Sequence, residues 1–156
     1  MLMIRTPKEE DWAFWHSLDP ELPFDRFLRK IRDRQGYVLF AEDEPAAVLR
    51  FDFFLDRVPF LSRLAVSGEE RFSAQRLDAA LLSWWEQDML LRGFGLALVS
   101  AGGEADAALY RGMGYREAGA LAVDLPGAER LKQAFLAKAL QAGCACGQRQ
   151  KDGAGA

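Results

Sequence analysis

Residues 77–121 read LDAALLSWWEQDMLLRGFGLALVSAGGEADAALYRGMGYREAGAL, a succession of helix, strand, helix and strand. Leu77, Ala80, Leu81, Trp84 and Trp85 recur at i, i+3, i+4, i+7 and i+8, the apolar stripe of an amphipathic helix. Arg92-Gly93 closes that helix with a cation in the last turn and a glycine able to take the left-handed cap conformation. Leu96 to Val99 predicts a short buried strand of the kind a parallel sheet requires. Ala105 to Met113 predicts a second helix stopped at Gly114, and Tyr115 to Val123 a further strand. Strand, helix and strand make a βαβ crossover, which sets Tyr110 near the carboxyl ends of the strands, where open α/β sheets bind ligands.

Upstream, Met3-Ile4-Arg5 predicts a first short strand. Thr6-Pro7-Lys8-Glu9 reads as a capping box with proline at the first helical position, so a helix is expected from there with Trp12, Trp15 and Leu18 buried. Phe24, Phe27, Leu28 and Ile31 mark a second helix, with Arg26, Arg29, Lys30, Arg32 and Arg34 facing outward as a solvated basic face. Tyr37 to Ala41, Ala46 to Leu55 and Val58 to Val66 predict an antiparallel meander, turning at Glu42-Asp43-Glu44-Pro45 and at Asp56-Arg57. In the middle strand Leu49, Phe51, Phe53 and Leu55 share one face and Val48, Arg50, Asp52 and Phe54 the other. Arg50 and Asp52 are expected to pair with each other on that face.

With 156 residues, half of them hydrophobic, the chain reads as one domain over 1–141, followed by a small, polar, flexible tail over 142–156. A net charge of −3 and a pI near 5.3 argue against nucleic-acid binding, which needs a basic face. No apolar run approaches the ~20 residues of a membrane helix, and MLMIRTPKEEDW lacks a signal-peptide pattern, so no membrane association and a cytoplasmic location are expected. Cys144 and Cys146 sit together in the tail, far from the single His16, which is neither a zinc site nor a disulfide framework; no metal is expected.

Three stretches together resemble the GNAT superfamily of acyl-CoA-dependent N-acyltransferases, over residues 3–140. Ala107-Ala108-Leu109-Tyr110-Arg111-Gly112-Met113-Gly114-Tyr115 looks like the superfamily's A-x-x-fY-x-x-x-GF/Y signature. Leu81 to Glu86, continuing to Arg92-Gly93-Phe94, looks like its helix after the cofactor loop. Leu49 to Asp56 and Val58 to Leu61 are similar to the third and fourth strands of one bacterial subgroup. The resemblance implies an α/β (α+β) fold, with a mixed, mostly antiparallel sheet of about six to seven strands flanked by about four helices. It also implies a strand at Ala134 to Lys138, where the leucine- and alanine-rich composition by itself favours a helix.

The activity implied is transfer of an acetyl group from acetyl-CoA to a small-molecule or peptide amine, with a homodimer as the candidate assembly and the oligomeric state left open. Tyr110 matches the general acid that protonates the leaving thiolate. Backbone N–H groups at Leu64, Ala65 and Val66 match those that handle the oxyanion. Ser73, Ala74, Gln75, Arg76, Leu77 and Asp78 stand where family members carry Q/R-x-x-G-x-G/A around the CoA pyrophosphate, so Arg76 and Asp78 replace the two small residues. The local residues read equally as a plain helix start with Ser73 as N-cap. Gly103 stands where a cofactor-contacting Asn or Asp often lies. Arg50 and Asp52 are weaker candidates for substrate contact. The same departures leave a second reading, a GNAT-fold chain without catalysis that acts as a binding or dimerising module.

Overall fold

The computed structural model describes residues 1–141; the flexible tail expected over 142–156, with Cys144 and Cys146, lies outside the described residues. Seven strands and four α-helices follow one another: β1 (Leu2–Arg5), α1 (Trp12–Leu18), α2 (Phe24–Asp33), β2 (Gly36–Ala41), β3 (Glu44–Phe54), β4 (Val58–Val66), α3 (Leu77–Leu91), β5 (Leu96–Ala101), α4 (Glu104–Gly112), β6 (Arg116–Val123) and β7 (Leu131–Ala139). They form one sheet in the order β1-β2-β3-β4-β5-β7-β6, antiparallel except where β5 runs parallel to β4. The expected strand at Ala134 to Lys138 is present as β7: it inserts between β5 and β6, so the strands flanking α4 are not neighbours. Pairing on both edges, against β5 and β6, outweighs the local helix propensity.

Each face of the sheet buries its own core. Leu39, Leu49, Phe51 and Leu61 pack under α3 with Leu77, Leu81, Leu82, Trp85 and Met89. Val38 and Val48 pack on the opposite face with Trp15, Leu22 and Phe27 of α1, α2 and their connection. The buried row of α3 follows i, i+4 spacing from Leu77 to Met89, so Trp84, expected in the stripe, falls off it and is 48% exposed. No helix among the described residues is long and apolar enough to cross a membrane.

Several expected boundaries move. The first helical turn is a 3-10 turn at Glu9–Asp11, and the Asp11 carboxylate accepts the Lys8 amide at 2.7 Å, so Lys8 rather than Thr6 caps it. Glu42 and Asp43 alone join β2 to β3, whereas Leu55, Asp56 and Arg57 join β3 to β4; Glu42, Asp43, Leu55 and Asp56 take positive φ. Leu55 therefore leaves the strand, because positive φ lies outside the extended region. α3 begins at Leu77 with Arg76 as N-cap, whereas Ser73 closes a separate 3-10 turn at Glu70–Phe72, its Oγ donating to the Glu70 carbonyl at 2.7 Å.

Candidate active site

β4 and β5 pair only at Phe60 with Leu98 and Leu61 with Val99, then part. The cause lies on the other edge of β4. Arg50 of β3 pairs with Arg63 and Phe51 with Leu61, so Ser62 is an extra residue, a β-bulge that bends the strand away from its parallel partner. Beyond the bulge β4 faces β5 with unpaired backbone. Between them opens a cavity of about 460 Å³, walled by Ser62, Arg63 and Leu64 on one side and by Ser100 and Gly102 on the other.

Tyr110 projects into this cavity from α4. The tyrosine is 3% exposed and packs on Tyr115, with ring centroids 5.8 Å apart. Burial, reinforced by the negative charge of Asp106, raises the Tyr110 hydroxyl above its ordinary value and keeps it protonated. Its two buried counterparts are committed elsewhere. Tyr37 donates to Asp88, and Tyr115 donates to Glu86 at 2.7 Å. The Tyr110 hydroxyl has no such side-chain acceptor among the described residues.

Two carboxylates line the same cavity that the sequence reading did not single out, Glu21 from the α1–α2 connection and Asp106 from α4. Asp106 was accessible to that reading, since it lies four residues before Tyr110 on one helical face. Glu21 was not, because its place depends on how the connection is pinned. Arg63 donates from Nη2 to the Leu18 carbonyl at 2.8 Å, and Arg50 pairs with Asp19 at 2.6 Å, holding the end of α1 against β3 and β4.

The expected Arg50–Asp52 pair does not form. Arg50 goes to Asp19, whereas Asp52 binds Lys30 and accepts Ser62 Oγ at 3.0 Å. The helices laid across the strand offer closer partners than the strand's own i+2 neighbour. Lys30, expected on the solvated face, is 7% exposed, and its burial lowers the ammonium below its ordinary value against the pull of Asp52. Asp52 lies in a neighbouring cavity rather than beside Tyr110, while Arg50 lines both.

The expected cofactor residues are divided. Leu64 lines the Tyr110 cavity, but Leu64 and Val66 also pack on the α3 core and Ala65 on the α1–α2 core. None of Ser73 to Asp78 reaches that cavity, and the Leu77 side chain is core. At this helix start the backbone serves itself. Ser73, Gln75 and Leu77 donate to Glu70, Phe72 and Gln75, and Asp78 Oδ1 takes the Ala79 amide at 2.7 Å, with Arg76 Nε at 3.4 Å. Gly103 is the N-cap of α4 and lines a third cavity with Gly102 and Ala107.

No protein-family model and no curated protein matches the chain. Solved structures do. The ribosomal-protein-S18-alanine N-acetyltransferase of Escherichia coli superposes with a TM-score of 0.71 at 19% identity, covering 94% of this chain and 98% of that one. A GNAT-family acetyltransferase of Streptococcus pneumoniae gives 0.68 at 15% identity, covering 90% and 100%. An acetyltransferase of Salmonella typhimurium that modifies the N-terminal serine of ribosomal protein L7/L12 gives 0.67 at 16% identity, covering 90% and 95%. At these identities the likeness is one of fold.

Proposed function

We propose that this chain, which has the fold of the GNAT N-acetyltransferases, is an N-acetyltransferase that moves an acetyl group from acetyl-CoA to an amine. The observation that carries this reading is the parting of β4 from β5 after Leu61 and Val99, with Tyr110 buried beside the opening. Unpaired strand backbone suits an extended arm that carries amides, which would bond to the main chain around Leu64, Ala65 and Val66 as an added strand does. Bound there, acetyl-CoA supplies an acyl carbonyl already activated as a thioester.

The acidic side chains Glu21 and Asp106 attract the acceptor's ammonium and take its proton, directly or through water, leaving the neutral nitrogen to form the new C–N bond. Backbone N–H groups of β4 stabilise the developing oxyanion. Tyr110, protonated and uncommitted, gives its proton to the thiolate as the C–S bond breaks.

The far end of the donor fits less well. The Asp78 carboxylate already occupies an amide at the start of α3 and would repel a pyrophosphate. Acetyl-CoA binding is therefore expected to be weak, and this one observation favours the second reading, a GNAT-fold binding or dimerising module without turnover. Thermal unfolding with acetyl-CoA, paired with an assay for released thiol, separates them. A ligand at ~100 times its dissociation constant adds about 2.7 kcal/mol. Stabilisation with thiol release supports the enzyme; stabilisation alone, over a broad panel of amines, supports the module.

A further inference from the structure

Next to the Tyr110 cavity lies a second one of about 280 Å³, bounded by α2 and β3. The two adjoin at Arg50, which lines both, and at the hydrogen bond from Ser62 in the first to Asp52 in the second. Their charges are opposed. Glu21 and Asp106 in the first have no ion-pair partner among the described residues, and Arg63 there is turned to the Leu18 carbonyl. In the second, Lys30 is matched by Asp52, Asp33 by Arg32 and Arg50 by Asp19. That leaves Arg26 and Arg29, one helical turn apart on α2, as the cations of that cavity with no hydrogen-bond or salt-bridge partner among the described residues, Arg29 acting on Asp33 only through its charge.

We propose that the acceptor is an amine that also carries a carboxylate or phosphate, its nitrogen beside Tyr110 and its anion held by Arg26 and Arg29. From β5 to β3 is two strand spacings, about 10 Å, roughly the reach of a short extended peptide. Polycationic amines fit badly, because their second charge would meet the two free arginines. The inference rests on the acetyltransferase reading for the nitrogen's fate, but not for the anion site itself.

The test uses the full chain and a double variant, Arg26→Ala with Arg29→Ala, two exposed positions on a helix that alanine sustains. Acetyl transfer is measured to four matched probes: alanyl-alanyl-glutamate amide, its phosphoserine and glutamine counterparts, and its lysine counterpart. The expected result is a KM about tenfold lower for an anionic probe than for the glutamine probe, as two partly exposed ion pairs would give. The glutamate and phosphoserine arms tell carboxylate from phosphate. The double variant should erase that preference and leave transfer to the glutamine probe unchanged. Equal use of the glutamine or lysine probe, or a preference that survives in the variant, overturns the inference while leaving acetyl transfer standing. If no probe is acetylated, titration of inorganic phosphate at constant ionic strength decides the anion site alone. Saturable shifts of the α2 amide resonances that the double variant lacks support the site; identical responses in both proteins overturn it.

Discussion

Arg50 on β3 grips Asp19 at the end of α1, donating from Nε to Oδ2 at 2.6 Å and from Nη2 to Oδ1 at 3.3 Å, with Trp15 Nε1 adding a third bond at 3.2 Å. Asp19 is fully buried while Arg50 keeps some access to water. The two halves of the pair are therefore unequal in what their loss leaves behind.

Arg50→Ala strands a buried carboxylate and should cost about 3–5 kcal/mol in urea unfolding. Asp19→Ala leaves a guanidinium that can turn to solvent, and should cost less. The reverse order would show that the pair is not what fixes α1 on the sheet.

Tyr110→Phe keeps the ring packed on Tyr115 and removes only the hydroxyl. With chemistry shown to be rate-limiting, kcat should fall on the order of 10²-fold while acetyl-CoA affinity changes little. An unchanged kcat at saturating substrate would remove Tyr110 from the mechanism.

The start of α3 offers a gain of function. Arg76→Gly with Asp78→Gly deletes the carboxylate that caps the Ala79 amide and the ion pair above it. Affinity for acetyl-CoA should rise about tenfold to a hundredfold, equivalent to roughly 1–3 kcal/mol. Glycine costs up to ~1 kcal/mol per site in the first helical turn, so the free protein should be slightly less stable. Weaker binding by the double variant in a calorimetric titration would make Arg76 a phosphate ligand.

Acid should loosen the N-terminal corner. Burial acts to raise the Asp11 carboxyl, but the hydrogen bond from Arg5 at 2.7 Å and the Lys8 amide hold it below its ordinary value of 3.8. The unfolded chain then binds the proton more readily, so this stabilisation is complete above the unfolded pKa and is lost as pH falls through the folded one. Asp11→Asn should cost about 1–2 kcal/mol near pH 7 and converge with the parent as the pH falls through the depressed Asp11 pKa. A gap that persists or widens in acid contradicts that sign.

Much of the fold was legible because its signals are local. The stripe of α3, the Gly93 and Gly114 stops with φ of 95°, and the alternation along β3 each follow from a few neighbouring residues. Residues 131–139 were ambiguous locally, since only the two flanking strands decide their state. Tyr110 could be found because it carries a signature, whereas Glu21, the Ser62 bulge and the partners of Arg50 and Asp52 depend on long-range packing. Of the outward basic face expected on α2, Arg26, Arg29, Arg32 and Arg34 are exposed, and Lys30 alone turns inward to the acid on β3.

The central claim is that the donor's thioester arm lies in the opening between β4 and β5, and amide chemical shifts read this directly. Titrating the full chain with acetyl-CoA should give saturable shifts that are largest at Ser62 to Val66 and at Ser100 to Gly102, on the two strands that part. Saturable shifts confined to other elements, or no saturable shift at millimolar acetyl-CoA, would contradict the account.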